Sequence, residues 1–241
     1  MGMFVKILLA IVLGILLVAF LFYAKLFAIF EFDYEWSYKL TVTVETPLGE
    51  RTGSTVVHVD ARAVGATSRH TIYGKNYNTE ATVVKLPPRS GSSKPRYLFM
   101  LIHKETGSLA QRVFGRAMRA EGQKVGFRPV DGMRAINSLP YGTTLNLPRK
   151  RYPLLVTFRN INDPASVELV KPNNLRRSFG RGYKLKSITI TMTDEPANRG
   201  VVADAIPCIK AGKACNWHNL GLPYSNPLSH LNQAFIMRRS K

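Results

Sequence analysis

The chain has 241 residues, 34 of them Lys or Arg and 15 Asp or Glu, for a formal net charge of +19 and a pI near 10.2. With 45% hydrophobic and 20% charged residues, the composition excludes a disordered, collagen-like or disulfide-dense chain and allows a sizeable core. The positive surplus directs the surface toward anionic neighbours, whether lipid, nucleic acid, acidic polymer or acidic protein, without choosing among them.

Residues 7–24, ILLAIVLGILLVAFLFYA, are an 18-residue run without a charge, bounded by Lys6 and Lys25. A helix rises about 1.5 Å per residue, so this run covers most of a hydrocarbon core about 30 Å thick. The pattern predicts a transmembrane anchor over 1–32, with Ile7, Leu13, Leu17, Phe20 and Tyr23 among its anchoring residues. A cleaved signal peptide is the rival reading. The apolar run exceeds the usual length, and Ala24 and Ala28 are preceded two places earlier by Phe22 and Leu26, so neither offers a small-x-small cleavage site. Gly14 is the only glycine of the run, which leaves no GxxxG packing motif. The flanking lysines do not decide orientation. A short amino-terminal tail and the cysteine pair favour a domain on the periplasmic side of a bacterial inner membrane.

Beyond the anchor, EFDYEW at 31–36 sets aromatics among acids, as an interfacial belt or a strand start would. Leu40, Val42 and Val44 alternate with Lys39, Thr41, Thr43 and Glu45, the period of two of a half-buried strand. Pro47, Leu48 and Gly49 supply a turn, and a second β-rich run at 53–61 completes a hairpin. Further strands are expected over 80–86 and 97–104, separated by a turn-rich loop at 87–95 that lacks the spacing of a phosphate-binding loop. Residues 109–120 (LAQRVFGRAMRA) have the spacing of an amphipathic helix, with Gly107 and Ser108 before it and Gly122 after it. Residues 123–151 read as loop. Strands are then expected at 152–158, 165–170 and 183–193, with a short helix at 172–179 and an irregular end beyond it.

These elements predict an α+β fold: one N-terminal transmembrane helix, a mostly antiparallel β-rich domain over 33–204 with one or two short helices, and an irregular extension over 205–241. Cys208 and Cys215 enclose six residues in that extension. In an oxidising compartment they can close as a disulfide, and two unrelated thiols are the alternative. A metal site on them is set aside, because His218 is the only nearby histidine and a fourth ligand is missing.

Two longer segments carry a resemblance. YPLLVTFRNINDPASVELVKPNNL followed by FGRGYKLKSITITMTDEPANRG, together with KLTVTVETPLGERTGSTVVHV near the start, resembles a family of uncharacterised proteobacterial proteins. The resemblance implies a hydrophobic N-terminal segment followed by a compact domain, and it carries no activity or functional residues with it. The chain departs from that pattern toward basic residues, as at Lys171, Arg176, Arg177 and Arg181, and in its cysteine-containing tail.

No catalytic constellation is legible. His58, His70, His103, His218 and His230 are scattered without a metal-binding spacing, and neither a nucleophile elbow nor a Ser-x-x-Lys helix start is present. His58, on the 56–58–60 face of a strand, reads as a surface or edge residue rather than a base. Charge is more informative: residues 85–134 hold eleven basic against three acidic residues, and 149–186 hold ten against two. Arg112, Arg116 and Arg119 on the expected helix, the triplet Arg149, Lys150 and Arg151, and the pair Arg176 and Arg177 are the candidate contacts for a partner or lipid. Nucleic acid is set aside because no binding motif accompanies the charge. The expectation is a non-catalytic accessory or assembly subunit of an integral membrane protein complex, without cofactor or metal and with its oligomeric state open. The alternatives are a tethered module for an anionic polymer or lipid surface, and a hydrolase or transferase whose site assembles only in the fold.

Overall fold

The alternation at 39–45 becomes the inner strand of a sheet. The structure, a computed structural model, describes residues 2–27, 31–64, 72–102, 106–126, 129–212, Cys215, Leu228 and 236–238. They fall into two units, one of residues 1–33 and 62–74 and the other of residues 34–61 and 75–241.

The first unit carries helix α1, Met3–Phe27. Among the described residues no helix is long and apolar enough to cross a membrane. The expected transmembrane helix is therefore corrected: α1 is an apolar helix whose described side chains are all exposed to solvent.

In the second unit, β1 (Glu31–Thr46) and β2 (Gly49–Val64) join through a two-residue turn at Pro47 and Leu48, with Gly49 at φ +91°. Both strands begin or end in the first unit and carry most of their length in the second. They are the centre of a six-stranded sheet with the order β10-β3-β2-β1-β9-β6, in which β3 is Ile72–Glu80, β6 Thr144–Asn146, β9 Lys184–Thr193 and β10 Met237–Arg238. β1 and β9 pair antiparallel, Leu40 opposite Ile190 and Val42 opposite Ile188, with a register shift between Thr43 and Val44. These side chains are buried with Tyr38, Val57 and Val59. The interleaved Lys39, Thr41 and Thr43 are half-buried on the opposite face, as strand alternation requires.

A second sheet of four antiparallel strands has the order β4-β5-β7-β8, built from β4 (Thr82–Leu86), β5 (Arg96–Met100), β7 (Leu155–Phe158) and β8 (Val167–Val170). Its core joins Val83, Phe99, Val156 and Val167 to residues near the carboxyl end: Val202, Ala205, Ile206, Cys215, Leu228 and Ile236. Beyond residue 200 the chain is thus not merely irregular. It forms helices α5 (Val201–Ala205) and α6 (Pro207–Lys210) and returns as strand β10. Within it, Cys208 and Cys215 are joined by a disulfide, their Cα atoms 5.5 Å apart.

Helix α2 (Thr106–Ala120) starts three residues earlier than its apolar spacing suggests, α3 (Pro129–Asn137) occupies part of the expected loop, and α4 is the short Arg176–Phe179. Several short helices therefore replace the expected one or two. The first turn of α2 is fixed by the six-stranded sheet. The Tyr38 hydroxyl donates to the Thr106 carbonyl at 2.5 Å. A Cβ on Gly107 would come within 3.0 Å of the Tyr77 ring. Burial, reinforced by neighbouring Tyr77, pushes the Tyr38 phenol well above its usual pKa, so it remains a neutral donor.

The two sheets share a seam at the β3–β4 corner. A Cβ on Gly53 of β2 would lie 2.0 Å from the Val83 carbonyl oxygen. Nearby, the Thr55 hydroxyl donates to the Glu80 carbonyl at 3.0 Å. Only a residue without a side chain permits that approach. Gly53→Ala is expected to destabilise the fold by about 1–3 kcal/mol through forced backbone displacement, read as a lower urea midpoint, whereas Ser54→Ala on the same strand should leave the midpoint nearly unchanged.

Candidate functional site

Three surface features bear on function: the apolar helix, a basic groove, and a polar cluster on the hairpin. Ile7, Leu13, Leu17 and Phe20 of α1 are 52%, 59%, 59% and 69% exposed. The side chain of Tyr23 lies outside the described residues. With residues 7–21 all apolar, the helix presents the same chemistry on every side, unlike α2, which hides one face.

On α2, Arg112 and Arg116 are exposed. Arg119 is half-buried and turns toward the Gly126 carbonyl at 3.4 Å. Arg149, Lys150 and Arg151 form one turn of 3-10 helix after Pro148, the first two exposed and Arg151 half-buried. Arg176 and Arg177 are exposed on α4, and Arg177 lines a shallow cleft with Lys171 and Asn174.

The residues from the two basic tracts that share a groove are different ones. A groove of about 310 Å³ is lined by Arg89, Lys94 and Arg96 from the first tract and Arg159 from the second, with Glu168 and Ser178. The Arg159 guanidinium meets the Glu168 carboxylate at 3.0 Å. Arg96 is the anchor of this groove. It donates to the Phe179 carbonyl at 2.7 Å, the Pro87 carbonyl at 3.0 Å and the Tyr183 hydroxyl at 2.8 Å. Its guanidinium carbon lies 5.6 Å and 5.0 Å from the centroids of the Phe179 and Tyr183 rings. A planar, permanently charged fork satisfies those donors and stacks on both rings, which an ammonium cannot do.

The polar cluster arises from the hairpin itself. Ser37 stands ten residues before the two-residue turn and His58 ten after it; Glu35 and Asp60 stand twelve before and twelve after. Cross-strand pairing about such a turn brings all four onto one face. The Ser37 hydroxyl lies 3.0 Å from His58 Nδ1, while Nε2 of the same ring is 3.3 Å from Glu35 Oε1 and 3.3 Å from Asp60 Oδ1. The imidazole side chain is 25% exposed and the carboxylates 72% and 50%. Beside it, an open cleft of about 750 Å³ is lined by Glu35, Ser37 and His58 together with Trp36, Asp194 and Glu195. Lys39 bridges to Glu195, and the buried Trp36 indole nitrogen lacks a hydrogen-bond partner among the described residues. Reading His58 as a lone surface residue misses this grouping. The signal was the symmetric spacing about the turn. The other four histidines lie outside the described residues.

Hydroxyl, imidazole and carboxylate in series is the order of an activated serine. Here, however, β1 has hydrogen-bonded neighbours on both sides, β2 and β9, and Ser37 itself faces Thr193 of β9. Backbone N–H groups committed to ladders are poorly placed to hold an oxyanion.

Replacing Arg96 by Lys should lower stability by about 1–3 kcal/mol, since it removes the three-way donation to Pro87, Phe179 and Tyr183 and the ring stacking while keeping the charge. Thermal unfolding reads the loss, and an Arg89→Lys variant should unfold like the parent. Comparison with known proteins brings no relative: no family model, curated protein or solved structure matches the chain. The resemblance to the proteobacterial family accordingly carries no further argument.

Proposed function

We propose that the protein is a non-catalytic accessory or assembly subunit of a bacterial membrane protein complex, docked through helix α1 and through the basic surface of its β-rich domain. The observation that supports this reading is the run of fifteen consecutive apolar residues, 7–21, with every described side chain exposed. Burying one Leu, Ile or Phe returns about 1.5–3 kcal/mol, so covering even six of them is worth on the order of 10 kcal/mol. A helix apolar all round is satisfied only by apolar surroundings on all sides. A one-sided groove leaves half of it in water, whereas a partner that encloses the helix covers it fully.

The rest of the surface fits the same setting. A net charge of +19 draws a domain toward anionic headgroups or an acidic partner, at roughly 1 kcal/mol for each cation close to the lipid surface. The Cys208–Cys215 disulfide favours the periplasmic side, where such bonds persist. The backbone around Ser37, committed to its sheet, weighs against an acyl-transfer enzyme. A second reading, a binding module for an anionic polymer, draws on the groove in which four cations, Arg89, Lys94, Arg96 and Arg159, face one acid, Glu168.

The test is a Leu13→Glu/Leu17→Glu double variant expressed from its native context. Both side chains are exposed, so the β-rich domain should keep its circular dichroism and thermal unfolding. The expected result is loss of the protein from the membrane fraction with the domain still folded. Retention of the folded double variant in that fraction, released only by salt, would sink the reading and favour the anion-binding module.

A further inference from the structure

We propose that Glu35, His58 and Asp60 form a binding site for a divalent transition-metal cation of the Zn²⁺ type. One oxygen of each carboxylate and one imidazole nitrogen lie within 4.8 Å of one another. The two separations fixed most closely, from His58 Nε2 to Glu35 and to Asp60, are both 3.3 Å. Ligand atoms about 2.0–2.2 Å from a common metal stand about 3.0–3.5 Å apart in octahedral or tetrahedral coordination, so the two separations from Nε2 match edges of a coordination polyhedron, and the two carboxylate oxygens lie within 4.8 Å of each other. A charge-assisted hydrogen bond from an imidazole to a carboxylate is shorter, about 2.7–2.9 Å. The arrangement is thus looser than a tight ion pair and suited to an ion set between the groups.

The other ring nitrogen sets the orientation of the imidazole. His58 Nδ1 lies 3.0 Å from the Ser37 hydroxyl, which aims Nε2 at the carboxylates. In the metal-bound form Nδ1–H donates to that hydroxyl and Nε2 gives its lone pair to the cation, the outer-shell arrangement that orients ligand histidines. All four side chains stand on the two long, directly connected strands β1 and β2, and a rigid scaffold of this kind holds ligands without a large ordering cost.

Local charge points the same way. In a chain with only 15 acidic residues, the adjoining cleft gathers Glu35, Asp194 and Glu195, with Arg199 as the cation on its wall. Asp60 completes the pair that offsets the ion's two charges. One nitrogen and two carboxylate oxygens suit Zn²⁺, Co²⁺ or Mn²⁺ better than Mg²⁺, which prefers oxygen and water alone. Both cysteines are held in the disulfide, so thiolates do not compete. With three protein ligands, the remaining positions open to the cleft and hold water or an anionic group. The proposal stands apart from the docking of α1, because it rests on the hairpin alone.

The full-length protein, purified in mild detergent, stripped with a chelator and dialysed, is titrated with ZnCl₂ by calorimetry and with CoCl₂ by visible absorption. The expected result is one saturable equivalent per chain at micromolar metal. The Co²⁺ complex should show d–d bands of a low-symmetry site and quench the fluorescence of Trp36. His58→Gln should abolish the equivalent, and Ser37→Ala should weaken it about 10–100-fold while unfolding normally. These side chains are partly exposed, so circular dichroism of each variant should match the parent. Absence of saturable binding in the parent, or an equivalent that survives in folded His58→Gln, would overturn the assignment.

Discussion

The seam between the two sheets depends on one close approach. The backbone of β2 passes so near the Val83 carbonyl that Gly53 cannot carry a side chain. Immediately beside that contact, Glu80 is 4% exposed and spends both carboxylate oxygens on backbone donors, Oε1 on Gly200 N at 2.8 Å and Oε2 on Val202 N at 3.1 Å. A buried carboxylate is tolerated only when its lone pairs are satisfied, and here the partners are the otherwise unpaired first N–H groups of α5. One corner of chain, 80–83, therefore ends a strand of the first sheet, begins the second, accepts the Thr55 hydroxyl and fixes the start of the carboxyl-terminal segment. Val202, Ala205 and Ile206 then fall into the second core.

Much of this was legible in local pattern and little of it in the long-range contacts. The alternation at 39–45 and at 183–193 identified two strands that do pair, Leu40 with Ile190 and Val42 with Ile188, because a half-buried strand writes its period directly into the sequence. The apolar spacing at 109–120 marked α2 for the same reason. Helix α3 was hidden: PVDGMRAIN contains a glycine and few strong helix formers, and its existence depends on packing against α2, with Gly132 beside Gln111. The carboxyl-terminal helices were hidden by their shortness and by Pro207 at the start of α6, and the start of α5 is held by Glu80, more than a hundred residues earlier. Composition alone also suggested a span in α1, where an exposed apolar helix is what the described residues support.

The candidate sites divide along the same line. Runs of basic residues were visible, but which of them share a groove is decided by sheet order, so Arg89 and Arg159 line one groove while Arg112 and Lys150 are not among its lining residues. Arg96, one more cation in a basic tract by sequence, is a packing element held between Phe179 and Tyr183. The Glu35, Ser37, His58 and Asp60 cluster rests on four residues of ordinary types whose only common signal is their symmetric distance from Pro47 and Leu48. Charge and chemistry thus separate among the described residues: a groove lined by Arg89, Lys94, Arg96 and Arg159, and a compact acidic and imidazole group at one end of the hairpin.

The central claim is that α1 is covered by a membrane-complex partner, since among the described residues nothing covers its exposed apolar surface. Gentle detergent extraction of the native membrane, followed by size separation and identification of what travels with the protein, tests it most directly. Migration within a large assembly at moderate salt is the predicted result, with α1 protected from protease there. Migration of the chain alone, with α1 cleaved freely, would contradict the account.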